Sequence, residues 1–174
     1  MEEKNKSSGM EEEIEFEQKG KIKSKKVLYD NITFDSKLEV SIYKFLKKED
    51  IIFKYNTKSF KLIESFKPTV SFFVRSKDRK THRNTFKLSM NKVQDMSYTP
   101  DFIINYQDYT IILEAKGFPN ERYPIVKKLF RRLLERKKNK ANIIFAEVKS
   151  VKEVKQLIEI INNEIFERNQ LASR

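Results

Sequence analysis

The chain has 174 residues, 39% of them hydrophobic, with 14 Phe and no Trp: enough to bury the core of one ordinary domain and too few for two of typical size. It has no Cys and a single His (His82), which excludes disulfides and thiolate metal sites, leaves little for a His-based metal cage or a Ser-His-Asp triad, and suits a reducing, cytoplasmic setting. The formal charge of +12 is uneven: residues 1–18 hold seven Glu against two Lys, so residues 19–174 carry +17, a field that suits nucleic acid or, more blandly, a Lys-rich solvated surface.

Residues 1–25 switch from acidic to basic with few large apolar side chains, and are expected to form a disordered or loosely attached charged tail. Charge from the second residue onward does not fit a secretory signal, and no apolar run approaches the roughly 20 residues that span a bilayer, so no membrane is expected. Residues 26–174 are expected to be a single domain. KVLYDNITF looks like a strand and turn centred on Asp30-Asn31. A helix follows from an N-cap at Asp35 or Ser36, with Leu38, Ile42, Phe45 and Leu46 at helical spacing. IIFKYNTKSFKLI supplies one or two strands. TVSFFVR and NTFKLSM flank the basic connection SKDRKTHR, which predicts a long hairpin with a positive tip at about 64–97; the second arm alternates through Phe86, Leu88 and Met90. YTPDFIIN and YTIILEAK form a further hairpin. ERYPIVKKLFRRLLERKKNK has a helical stripe at Val126, Leu129, Phe130 and Leu133, with Pro124 tolerated in its first turn. ANIIFAEV is a short buried strand. The last helix carries Val154, Leu157, Ile158, Ile161 and Ile165 on one face. This order predicts an α/β fold, a central mixed β-sheet flanked by helices, with the Phe residues in its core.

The stretch YTPDFIINYQDYTIILEAKG sets three charges, Asp101, Glu114 and Lys116, in or beside very apolar segments. A tight turn at Gln107-Asp108 pairs 106 with 109 and, counting outward, 101 with 114, whose Cβ atoms then lie roughly 5 Å apart. Alternation puts Lys116 on the face of Glu114. Two carboxylates so close repel each other and lose hydration unless positive charge joins them. Lys116 supplies part of that; a hard cation such as Mg²⁺, held by Asp101, Glu114 and the carbonyl of Ala115 and completed by waters and substrate phosphates, supplies more. Such a centre activates water for phosphodiester hydrolysis, with Lys116 orienting the water or stabilising charge. The bland alternative is a structural ion pair at a strand end.

Pro100-Asp101 followed by Glu114-Ala115-Lys116 resembles the PD-(D/E)XK signature of the restriction-endonuclease-like nucleases. FDSKLEVSIYKFL, KSFKLI, YTPDF and LEAKG followed by YPIVKKLF are similar, in order, to the small phage endonucleases of that superfamily, which include Holliday junction resolvases. The similarity covers roughly residues 27–147. It implies a restriction-endonuclease-like core, a Mg²⁺-dependent endonuclease in which Mn²⁺ substitutes, and a DNA partner that is branched or otherwise structured. It also implies a phage gene acting in a bacterial cytoplasm, and it favours a homodimer. In that family a helix before the sheet donates a further acidic residue, and the matching position is Glu39, as metal ligand or base positioner; a Glu there also complements the helix dipole. The long segment 64–97 departs from the family pattern.

Lys127, Lys128, Arg131 and Arg132 lie on a helix whose other face is apolar, and Arg75, Lys77, Arg79, Lys80 and Arg83 surround the hairpin tip. Both sets fit phosphate contact or a solvated face. His82 is assigned no role, and Gly117 either lets the chain turn near substrate or ends its strand. No small-molecule cofactor is expected. The other functions considered are a nucleic-acid-binding module that does not cleave, and a nuclease subunit of a transposition or restriction assembly.

Overall fold

The computed structural model describes residues 14–16, 26–117 and 121–172, with the side chains of the last helix described as far as residue 165. Strands β1 (Ile14–Phe16), β2 (Lys26–Tyr29) and β3 (Ile32–Phe34) form a small antiparallel sheet, Ile14 pairing with Leu28 and Tyr29 with Ile32. Apart from β1, the tail expected over 1–25 lies outside the described residues. The turn between β2 and β3 is Asp30-Asn31, both at left-handed φ (52° and 57°), the conformation that a two-residue hairpin demands and that Asn and Asp tolerate.

Helix α1 (Lys37–Lys48) begins where Ser36 accepts the Glu39 N–H, buries Ile42 and Leu46 completely, and ends with Lys47 and Lys48 in the last turn, where cations complement the helix dipole. Next come β4 (Ile52–Tyr55), β5 (Phe60–Ile63), β6 (Phe72–Lys77), β7 (Asn84–Ser89), β8 (Met96–Tyr98), β9 (Phe102–Tyr106) and β10 (Tyr109–Ala115). Helix α2 (Tyr123–Glu135), a short 3-10 turn (Lys140–Asn142), β11 (Ile143–Val148) and α3 (Val151–Ala172) complete the chain. The molecule is thus mixed α/β, with several sheets and three helices.

Two compact units emerge, and the chain passes repeatedly between them. The first draws on Met1–Asn56, Pro100–Pro119 and Ala141–Arg174. Its main sheet has the order β11-β10-β9-β4, antiparallel except for the parallel pair β10–β11. Strand β10 is central and almost continuously buried, which is why it reads as an unbroken apolar run rather than an alternating one. Its partner β9 pairs in the expected register, Tyr106 with Tyr109 through Phe102 with Leu113, across a turn in which Gln107 takes φ 51°. Phe102, Ile104, Ile111 and Leu113 form one core face of this pair and cluster with Phe34, Ile42 and Leu46, and with Val154 and Ile161 of α3.

The second unit comprises Thr57–Thr99 and Asn120–Lys140. IIFKYNTKSFKLI is therefore two strands assigned to different units. Phe60 pairs with Tyr98, Phe66 bridges Val93, and Phe72 pairs with Ser89, a nested antiparallel series that makes residues 60–98 one long interrupted hairpin. Its base is packed by α2, whose fully buried Phe130 meets the rings of Phe60 and Tyr98 at centroid distances of 5.1 and 4.7 Å. The expectation that the Phe residues are core holds in this unit for Phe60 and Phe130 and fails for Phe66, Phe72, Phe73 and Phe86, which are 51–74% exposed. Alternation along β7 fixes which side chains share a face, but among the described residues no second layer covers that face.

Candidate active site

The proposed catalytic residues all belong to the first unit, where the ends of β9 and β10 meet the start of α1 and the end of β4. Pro100 is fully buried, and the backbone carbonyl of Asp101 accepts the Asn56 N–H at 2.8 Å, which anchors the chain just before β9 begins. The β9–β10 ladder ends at Phe102–Leu113, and Asp101 and Glu114 are the next residues beyond that last pair. The Asp101 side chain takes over where the ladder stops: Oδ2 accepts the Ala115 N–H at 2.7 Å. The next amide, Lys116 N–H, points the other way and donates to Val148 on β11 at 2.9 Å. In an extended strand a residue's N–H and C=O leave on the same side, so the Ala115 carbonyl faces the edge on which Asp101 sits.

Glu114 is 5% exposed, and its Oε1 accepts from Lys116 Nζ at 3.2 Å, with the Lys116 side chain 28% exposed. Burial pushes the Asp101 carboxyl up to about 8; the charges of Glu114 and Glu39 add to the rise, while the Ala115 amide and Lys116 oppose it. Asp101 therefore senses both other carboxylates, as residues sharing one patch must.

Glu39 is also 5% exposed and is bound more tightly than its sequence position suggests. Ser36-Lys37-Leu38-Glu39 has the S-x-x-E spacing of a capping box: the Glu39 N–H donates to Ser36 Oγ at 3.2 Å, and Ser36 Oγ donates to Glu39 Oε1 at 2.7 Å. Glu39 Oε2 accepts the Asp35 N–H at 3.2 Å and the Tyr55 hydroxyl at 2.7 Å. Burial, then the hydrogen bond to Glu39, raises the Tyr55 hydroxyl far above its usual range, so it stays a neutral donor. With three donors on its oxygens, Glu39 suits a positioning role better than direct ligation. Tyr55 and Ser36 were not among the expected site residues. The S-x-x-E spacing signals the Ser36 contact, whereas nothing in the sequence reveals which buried carboxylate Tyr55 reaches.

Among the described residues no three His, Cys, Asp or Glu side chains stand close enough together to hold an ion by themselves. The candidate donors for a hard cation are two carboxylates, Asp101 and Glu114, and one carbonyl, Ala115. Gly117 has neither a left-handed φ nor a close neighbour, since an added Cβ meets nothing within 4 Å.

The expected phosphate-binding residues belong to the second unit. Lys128, Arg131 and Arg132 are exposed on α2, while Lys127 is half-buried with Nζ 5.8 Å from the Tyr123 ring centre. Arg75, Lys77, Arg79, Lys80 and Arg83 are exposed on the β6–β7 hairpin. Its tip is held by Asp78, which accepts the Lys80 and Thr81 N–H groups at 2.9 and 2.6 Å. His82 takes a left-handed φ of 55° in that turn. No helix among the described residues is long and apolar enough to cross a membrane.

No curated protein and no solved structure matches the chain. A family model matches residues 19–157, most of the sequence and every proposed catalytic position, and the chain belongs to that family, described as Protein of unknown function (DUF1064).

Proposed function

We propose that this chain is a divalent-metal-dependent endodeoxyribonuclease with a restriction-endonuclease-like core, acting on branched or otherwise structured DNA. The observation that carries the reading is the arrangement where β9 begins and β10 ends: Asp101 on the Ala115 amide, Glu114 just beyond the last pair of the ladder, and Lys116 on Glu114. The mixed sheet and the preceding α1, with Glu39 in its first turn, support the reading.

The donor set fits Mg²⁺, which prefers oxygen, keeps several waters and takes only one or two carboxylates from the protein. Asp101, Glu114 and the Ala115 carbonyl would hold it, and when bound it would lower the pKa of a water and offset charge on the phosphoryl oxygens. Lys116, steadied by Glu114, orients the attacking water or stabilises the charge that develops on the phosphate. Glu39, fixed by Ser36 and Tyr55, positions the water-activating group. The basic residues of α2 and of the β6–β7 hairpin contact phosphates and carry no sequence information.

The test is a cleavage panel over four-way junction, flap, linear duplex and single-stranded DNA, in Mg²⁺ and in EDTA. Mg²⁺-dependent cleavage of at least one branched substrate is expected. Cleavage that persists in EDTA, or no cleavage of any substrate by folded protein in Mg²⁺ or Mn²⁺, contradicts the reading.

A further inference from the structure

The β6–β7 hairpin has an exposed face that phosphate contact alone does not explain. Phe73 pairs with Leu88 and Arg75 with Phe86, so these four side chains occupy two adjacent rungs of one face, with opposed Cβ atoms about 5 Å apart. Phe73 is 58%, Leu88 49% and Phe86 74% exposed. Contiguous apolar exposure of this kind marks a recognition surface, and here a cation lies within it.

Charge complementarity selects the occupant. Residues 72–89 hold six Lys or Arg against one acidic residue, a net +5. That one acid, Asp78, is engaged by the Thr81 amide and hydroxyl and by the Lys80 amide, which hold its carboxyl below the usual range. A second copy of so cationic a ribbon would be repelled, and an apolar peptide would leave the arginines and lysines uncompensated. Duplex DNA offers phosphates but keeps its base faces stacked inside. An unpaired strand offers both phosphates and base faces, and aromatic platforms interleaved with cations are the arrangement that binds it without regard to sequence.

We propose that the β6–β7 hairpin is a binding site for unpaired DNA, with Phe73 and Phe86 as stacking platforms and Arg75 beside both, opposite Phe86 and two residues along the strand from Phe73. The hairpin belongs to the second unit and the carboxylates to the first; the choice of DNA rests on the nuclease reading, and binding is measured in EDTA, so that failure of the hairpin proposal and failure of the nuclease reading are told apart.

The chain has no Trp, so Phe86→Trp introduces a single fluorescent reporter at the centre of the face. Oligo-dT should quench its emission, and a blunt duplex of equal length should not. In anisotropy titrations, Phe73→Ala and Phe86→Ala should each weaken oligo-dT binding about 5- to 100-fold. Phe86→Tyr should retain it, and blunt-duplex binding should change less than twofold in all three. These positions are exposed, so the variants should fold as the parent does. Reporter emission indifferent to oligo-dT, or equal losses on single strand and duplex, would overturn the proposal. So would a variant that turns a dimer into a monomer on sizing while its oligo-dT affinity is unchanged, since the face would then be a self-association surface.

Discussion

Asp101→Asn in metal-free protein tests the electrostatics of the site without reference to catalysis. Burial, then the charges of Glu114 and Glu39, lifts the Asp101 carboxyl from 3.8 to about 8 in the folded protein. The native state therefore binds more protons than the unfolded one between those values. The stability this provides is complete below the unfolded pKa and is lost as pH rises through the folded one. One proton gives a slope of at most about 1.4 kcal/mol per pH unit, and sharing of the charge among three carboxylates reduces the integrated effect. Asn keeps an oxygen acceptor for the Ala115 N–H and removes the charge. The expected result is a gain of about 1–3 kcal/mol at pH 8, no gain at pH 4, and an intermediate value at pH 6. Urea denaturation in EDTA at the three pH values measures it, as the difference between variant and parent, so that other titrating groups cancel. Mg²⁺ should stabilise the parent at pH 8 and leave the variant unchanged, because only the parent holds the full donor set. A variant less stable than the parent at pH 8, or a difference independent of pH, would refute the reasoning.

Tyr55→Phe leaves a buried carboxylate short of one donor, and should cost about 1–3 kcal/mol in chemical denaturation while lowering cleavage more than affinity for DNA. Ser36→Ala removes the cap of α1 and one Glu39 contact, with an expected loss of about 1 kcal/mol by the same assay; Ser36→Thr should recover most of it. Phe130→Ala empties the space between Phe60 and Tyr98 and should cost about 3–5 kcal/mol, with hydrogen exchange rising first in β5 and β8. Pairwise neutralisation of Arg131 and Arg132 should lower the salt dependence of DNA binding by about one phosphate contact per residue, across all sequences alike.

The β9–β10 register was legible because only one turn, Gln107-Asp108, separates two strongly β-forming runs, and a two-residue loop leaves no choice of pairing. The start of α1 was legible as far as Asp35 or Ser36, because an N-cap is a local signal; the Ser36–Glu39 contact settles it on Ser36. What failed was non-local. Phe73, Phe86 and Leu88 have the residue types and alternation of a buried strand face, yet whether such a face is covered depends on a second layer that no local pattern encodes. The grip of Tyr55 on Glu39 spans 16 positions between a strand and a helix, and it appears only once both are folded.

The most direct measurement is nicking of supercoiled plasmid in Mg²⁺ by the parent protein, Asp101→Asn and Lys116→Ala, each first shown to be folded. Parent activity abolished by EDTA, with both variants slower by about a hundredfold or more, is the predicted result. Equal rates in the parent and either variant would contradict a site built on Asp101, Glu114 and Lys116.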